Sequence, residues 1–255
     1  MLLQDTKDAP AQPPSAETDV PPIARRVLGV FVEPVATFRA LDPGWGILGP
    51  WLVIAFAGLL YAGFHFAFGD AKLLASAQWA YVQTQYSGQE RRMLAQTEQT
   101  VDVGKWGAFS TNLGLLLGPT VGSILAIVLM GIILFGASAA LGGKKDLLRA
   151  IVVAAHAKLV AVAGYAVCSF ALVLGNPSPA TSLANVADEV AKPVLCAALK
   201  ILDPIALWHT VLLAIGLTVA LGVRRHKAAA VAALLLLLPW LLGVGLASLR
   251  GLQKG

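Results

Sequence analysis

The sequence predicts an all-α polytopic membrane protein, a bundle of five transmembrane helices with amphipathic helices at the membrane interface. Three observations indicate this class. Hydrophobic residues make up 57% of the 255 residues and charged residues only 13%, against roughly 25% charged residues in soluble domains. Apolar runs recur that are long enough to cross a hydrocarbon core about 30 Å thick. Clusters of basic residues stand between the later runs, as they do at membrane edges.

The N-terminal end is polar before it becomes amphipathic. Residues 1–27 predict a disordered cytosolic tail, because they are charged, rich in proline and without helical periodicity over most of their length. Apolar residues then recur at helical spacing from 23 to 41, accompanied by Arg25, Arg26 and Arg39. This pattern favours an interfacial helix or helix pair. A plain juxtamembrane linker is the alternative.

A membrane domain over residues 28–250 follows from the apolar runs. The predicted spans are about 47–68, 117–141, 150–175, 205–223 and 228–249. Pro119 divides the second apolar region, so that span is expected to begin within 112–119. The longer connections, 69–105 and 178–202, each carry amphipathic stretches that could lie over the membrane.

The basic residues of the short loops predict the orientation. The loops 142–149 and 224–227 each carry three lysine or arginine residues. The positive-inside rule places both loops and the N-terminus in the cytoplasm, and five spans then place the C-terminus on the opposite side. Arg250 and Lys254 argue weakly against this. The high alanine and leucine content, without an organelle signal, favours a bacterial cytoplasmic (inner) membrane.

A stripe of small residues marks the second apolar region. Gly114, Gly118 and Gly122 are spaced four residues apart, so they share one helix face. Another helix can approach such a stripe closely. Internal helix packing is the favoured role, and a homodimer contact is the alternative.

Lys158 is the most unusual residue within a predicted span, where no aspartate or glutamate occurs. Counted from Arg149, it lies about 13 Å along the helix. A lysine near mid-membrane costs about 2.5–3.5 kcal/mol unless its side chain reaches the interface. Snorkelling or a structural bond to a backbone carbonyl is favoured over a functional polar site.

Catalytic and metal motifs are weak. His65, His156 and His209 do not have the spacing of a known zinc motif. Ser138 stands in a G-A-S-A element similar to that of rhomboid-type serine proteases, but the companion loop elements are missing. The sequence therefore predicts no catalytic residue, no cofactor and no metal, and hence no enzyme.

Several short motifs have the character of one known family. They are Phe31-x-x-Pro34 with Thr37-Phe38, Gly142-Gly143, Asp203-Pro204-Ile205-Ala206-Leu207-Trp208, Gly216-Leu217 and Lys227-Ala228-Ala229. Together they resemble the Yip domain family, five-span membrane proteins named for binding Ypt/Rab-type small GTPases, over about residues 28–248. The family-like positions are Phe31, Pro34, Phe38, Asp203, Trp208 and Gly216.

The resemblance implies a five-helix bundle with a cytosolic N-terminus, and a role in trafficking or membrane shaping through partner proteins. The family's tyrosine- and proline-bearing third-span pattern is replaced by Ala155-His156-Ala157-Lys158, which indicates a bacterial member. We therefore expect a non-enzymatic membrane scaffold or adaptor. Its expected partners are the lipid bilayer and a membrane or cytosolic protein, with a possible homo-oligomer and no nucleic acid. The alternative is a small-solute or ion transporter or channel component with a polar path near Lys158.

Overall fold

The computed structural model describes residues 23–41, 46–69, 103–175 and 201–252, with residues 181, 182, 195 and 199. Within these ranges the chain is helical and contains no strand. The helices are α1 (Ile23–Val32), α2 (Pro34–Arg39), α3 (Leu48–Phe68), α4 (Val103–Leu117), α5 (Ser123–Ala140), α6 (Leu147–Lys158), α7 (Ala161–Val173), α8 (Pro204–Val219) and α9 (Arg225–Leu252), with a π-helical segment at Gly118–Gly122 between α4 and α5. The tail up to residue 22 and most of both long amphipathic connections lie outside the described residues. Residues 23–27, which the predicted tail included, belong to α1.

Four helical stretches are long and apolar enough to cross a membrane. They are Leu48–Phe68, Phe109–Ala140, Leu147–Val173 and Arg225–Leu242. The chain is thus an all-α polytopic membrane protein. The helix at the predicted fourth span, Pro204–Val219, is apolar but only 16 residues long. That length corresponds to about 24 Å, short of a 30 Å core, so the fifth crossing stays a prediction.

Pro119 does not end the helix that contains the second predicted span, and the start of that span at 117 stays a prediction. The chain passes from α4 through the π-helical turn into α5, and the apolar stretch begins at Phe109. The Thr120 hydroxyl donates to Leu116 O at 2.8 Å, and the Ser123 hydroxyl donates to Pro119 O. Serine and threonine hydroxyls bond in this way to backbone carbonyls of the preceding helical turn.

The third span is interrupted near its middle. Helix α6 ends at Lys158 and α7 begins at Ala161. The amides of Leu159 and Val160 donate to carbonyls three residues earlier, at 3.2 and 3.5 Å, which is the tighter 3₁₀ pattern. The sequence had predicted one continuous span over this region.

The two short basic loops meet at one end of the bundle. The Lys144 amide donates to Leu221 O at 2.7 Å, which joins the loop after α5 to the loop after α8. The Ser138 hydroxyl donates to Lys144 O at 2.8 Å and steadies the same junction. We call this the basic end. Both loops therefore share one end of the bundle, as the predicted orientation requires.

Candidate functional site

The helical hairpin formed by α1 and α2 is fixed to the bundle by Phe38. The Phe38 ring is fully buried. A Cβ placed on Gly216 would lie 3.2 and 3.3 Å from two carbons of that ring, and it would overlap Val153. Because only a glycine leaves this space, α8 carries a socket for the ring. The hairpin thereby packs close to the basic end, near the C-terminus of α8.

Local bonds shape the hairpin. Pro34 opens α2 at its first turn, where its missing amide costs nothing. The Glu33 amide donates to Gly29 O at 2.9 Å, and the Thr37 hydroxyl donates to Glu33 O at 3.0 Å. Phe31 is half-buried and packs against the core. The sequence-predicted residues Phe31, Pro34 and Phe38 thus belong to one structural unit.

The outer face of the hairpin is amphipathic. Leu28 and Val32 are 64% and 75% exposed, whereas Val30 and Phe38 are fully buried. Arg25 and Arg39 are exposed at the same unit. A face of this composition suits the boundary between lipid headgroups and acyl chains.

Asp203 caps α8. One carboxylate oxygen accepts from the amides of Ile205 and Ala206 at 2.9 and 3.4 Å, and the other accepts from the Thr181 hydroxyl at 2.8 Å. Pro204 follows at the first helical position. Trp208, one turn later, is half-buried against the core. The Asp203-Pro204 pair therefore starts the shorter helix and ties it to the segment before it.

Lys158 is the last residue of α6, immediately before the interruption of the third span. Its side chain is half-buried, and its charge interacts electrostatically with His209 on α8. A cation in the last turn of a helix is favoured by the helix dipole. The interruption thus provides a structural reason for a lysine at this depth, beside the functional one.

His156 belongs to a different environment. It is fully buried, its Nδ1 lies 2.9 Å from Val152 O, and it interacts electrostatically with Arg26 of α1. Lys158 instead interacts electrostatically with His209 of α8. The structure therefore does not bring His156 and Lys158 to one site.

The other candidates for chemistry also stand apart. His65 is buried in α3 with its ring edge-on to Tyr61, at a centroid distance of 6.2 Å. Ser138 is fully buried, and its hydroxyl is engaged by Lys144 O. Among the described residues, no three histidine, cysteine, aspartate or glutamate side chains come together to hold a metal.

The glycine stripe lies on an open face. Within the described part of the chain, a Cβ on Gly114 or Gly118 would meet nothing within 4 Å, and one on Gly122 would come no closer than 3.6 Å to Leu117 O. The close helix contact is made next to the stripe, where a Cβ on Gly58 of α3 would overlap the Pro119 ring. A packing role for the stripe, internal or between copies, stays a prediction.

A comparison with protein-family models identifies the chain. The model described as the Yip1 domain matches residues 28–247, most of the 255-residue chain. The chain belongs to the Yip1 domain family. Searches of curated proteins and of solved structures each give no match.

The matched residues include the Phe38 socket, the Asp203 cap and the hairpin from residue 28 onward. Sequence reasoning selected Phe38 and Gly216 separately and missed that one receives the other. It also missed Val153, which forms the wall of the socket, and Trp51, whose indole N–H donates to Thr120 O at 2.9 Å. A valine among apolar neighbours gives no sequence signal of such a role.

Proposed function

We propose that this Yip1-domain protein is a non-enzymatic membrane scaffold or adaptor that docks a protein partner at its basic end. The observation that carries the proposal is the Phe38 contact with Gly216. It holds the hairpin against the bundle as a rigid platform, with its apolar strip, Arg25 and Arg39 exposed. A preorganised surface loses little entropy on binding.

The charges at this end suggest the chemistry of the partner. The exposed basic residues there are Arg25, Arg39, Lys144, Lys145, Arg224 and Arg225. Two acidic residues lie near them: Asp146 is paired with Arg149 at 3.4 Å, and Glu33 is exposed between α1 and α2. The apolar strip of Leu28 and Val32 would rest in the lipid interface, and the basic residues would attract an acidic partner surface. The proposed location is a bacterial inner membrane with this end in the cytoplasm.

A scaffold or adaptor does not need a catalytic site within its helices. Three polar side chains serve local structure: Ser138 joins two loops, Asp203 caps a helix and Ser123 bonds to Pro119 O. A catalytic site instead needs a nucleophile and a base within hydrogen-bond reach. We therefore propose binding and organisation, not catalysis.

Co-purification with charge-reversal variants tests the proposal. The full chain is extracted from native membranes in a lipid-retaining polymer, and bound proteins are identified by mass spectrometry. The variant Arg25→Glu/Arg39→Glu changes the hairpin, and Arg250→Glu/Lys254→Glu is the charge-matched control, because five predicted crossings place residues 250–254 on the opposite side of the membrane. A stoichiometric partner lost only from the hairpin variant would support docking on the hairpin. A partner retained by the hairpin variant, or none with the unchanged chain, would contradict it.

A transporter or channel component is the second candidate. The observation that favours it is the interruption at Leu159–Val160 directly after Lys158, with His209 nearby. Interrupted helices with an ionisable residue line substrate paths in several classes of transporter. Under this alternative, Lys158 would be needed for ion or solute flux but not for assembly.

A further inference from the structure

A cleft of about 500 Å³ opens where α3, α4 and α7 meet. This volume is within the ~300–1,000 Å³ that is typical of small-molecule sites. Its lining includes Tyr61, Tyr165, Ser110, Thr111, Gly114 and Gly118. The glycines are exposed and form a flat floor without side chains. The Tyr61 and Tyr165 rings stack at a centroid distance of 5.7 Å and form a wall.

The cleft lies in the half of the bundle far from the basic end. Tyr165 stands 18 residues after Leu147, about 27 Å along the span. This places the cleft at the depth of lipid tails in the leaflet opposite the basic loops. Ser110 and Thr111 of α4 precede Gly118 by about 10–12 Å of helix, and so lie further from the basic end.

The lining is polar at one end and apolar at the other. Ser110 and Thr111 bring hydroxyl groups to the outer end, whereas Gly114, Gly118 and Pro119 form the deeper part. Every side chain recorded in the lining is uncharged. This gradient matches a lipid, whose ester oxygens sit above its acyl chain. It does not match an ion or a charged solute, which would need a paired charge at this depth.

We infer that the cleft binds one acyl chain of a phospholipid from the leaflet opposite the basic loops, with the ester region beside Thr111. Recognition depends on the chain and the ester, not on the charge of the headgroup. The inference is independent of the proposed adaptor role, because the cleft lies at the other end of the bundle from the hairpin.

A second copy of the chain fits this surface less well. A two-fold contact brings the same patch of both copies together. Two concave clefts that face each other would leave a void at the axis, and small-residue helix contacts depend on close packing. A flexible acyl chain fills such a cleft without that cost.

Photolabelling in nanodiscs tests the inference. The full chain is reconstituted with increasing fractions of a phospholipid that carries a diazirine in its acyl chain, and labelled peptides are mapped by mass spectrometry. We expect saturable labelling of peptides containing Tyr61, Gly118 and Tyr165. Lipid-facing Leu125 and Leu129 of α5 serve as the reference, since general lipid contact should rise linearly with the fraction of probe.

Matched glycine variants identify the cleft as the site. Gly114→Leu/Gly118→Leu fills the floor, and Gly136→Leu is the control, because a Cβ at any of these three positions meets nothing within 4 Å. We expect the double variant to lose about tenfold in labelling, equivalent to ~1.4 kcal/mol, and the control to keep it. Thr111→Val removes a hydroxyl at nearly constant volume and should also weaken labelling. It tests the inference should the double variant fail to fold.

Several results would overturn the inference. One is linear, non-saturating labelling of the cleft. Another is equal labelling of the double variant and the control. Recognition of the headgroup would be shown instead if an anionic probe labels the cleft and a zwitterionic probe with the same acyl chain does not. A photoreactive residue at Leu115 that cross-links to a second copy, or to residues 70–102 of its own chain, would identify a protein occupant.

Discussion

The Phe38 ring lies in a socket on α8 that exists because residue 216 is glycine. The two residues are 178 positions apart in the sequence, and their contact joins the N-terminal hairpin to the membrane bundle. Val153 of α6 completes the socket, so one contact connects three parts of the Yip1 domain. The hairpin is therefore part of the folded core and not an appendage.

Filling this socket should destabilise the protein. Gly216→Val places two methyl groups against Phe38 and Val153, and overpacking of this kind costs about 1–3 kcal/mol. Gly136→Val is the matched control, because a Cβ there meets nothing within 4 Å. The measurement is thermal unfolding in nanodiscs, with proteolysis of the hairpin as a local readout. Equal transition temperatures for the two variants would show that the hairpin is not held by this contact.

Glycines that are packed against another helix should respond to substitution differently from glycines on an open face. A methyl group at Gly58 would overlap the Pro119 ring, whereas one at Gly118 meets open space. We expect Gly58→Ala to destabilise the bundle by about 1–3 kcal/mol. Gly118→Ala should be neutral or stabilising by up to ~1 kcal/mol, because alanine favours the helix. Thermal unfolding of both variants in the same lipid checks the difference. A larger loss for Gly118→Ala would indicate that the stripe is itself packed against a helix.

The cap on α8 should depend on the oxygen of Asp203 and not on its charge. Asp203→Asn retains an acceptor for the Ile205 amide, and asparagine is as good an N-cap as aspartate. Asp203→Ala removes both the cap and the bond from Thr181, so we expect a loss of about 1–2 kcal/mol. Unfolding of the two variants is compared in lipid, with Thr181→Val to isolate the second bond. Equal losses for the asparagine and alanine variants would argue for a role of the charge.

The topology depends on whether α8 crosses the membrane. With five crossings, residues 15 and 255 lie on opposite sides; with the four longer stretches alone, they lie on the same side. We expect opposite sides. The test is labelling of Ser15→Cys and Gly255→Cys with a membrane-impermeant maleimide, in a chain with serine at residues 168 and 196. Intact and permeabilised vesicles are compared. Access to both cysteines from the same side would exclude the fifth crossing.

The sequence predicts apolar length well and interruptions poorly. The first predicted span, 47–68, coincides with α3 because a run of apolar residues needs no tertiary information to be recognised. The break after Lys158 has no proline or glycine to announce it. Conversely, Pro119 looked like a boundary, yet the helix continues through it as a π-helical turn, where the Thr120 and Ser123 hydroxyls bond to backbone carbonyls. These outcomes depend on bonds that periodicity does not record.

The candidate positions show the same difference between local and distant contacts. Asp203 followed by Pro204 is a local cap, and its sequence pattern is sufficient to identify it. The socket for Phe38 is built from residues of α6 and α8, and nothing near Phe38 in the sequence indicates its shape. The glycine stripe was recognised from its spacing, but spacing alone did not show that it lines an open cleft. Contacts between distant segments required the fold.

Lys158 separates the two candidate functions most directly. Lys158→Met replaces the ammonium group with an apolar side chain of similar length. A scaffold needs no charge there, so the variant should assemble and keep its partner. It should be as stable as the unchanged chain or more stable, because a charge near mid-membrane costs about 2.5–3.5 kcal/mol. A transporter would lose flux in the same variant, while Lys158→Arg would retain part of it.

Two measurements on the same preparation check this prediction. Thermal unfolding in nanodiscs reports stability, and ion flux in proteoliposomes under an applied potential reports transport. His209→Gln is the internal control. It changes a residue that interacts electrostatically with Lys158, and it leaves the charge of Lys158 in place. Stable Lys158→Met protein without a change in flux would support the scaffold. Flux by the unchanged chain that Lys158→Met abolishes and Lys158→Arg partly restores would establish the polar path instead.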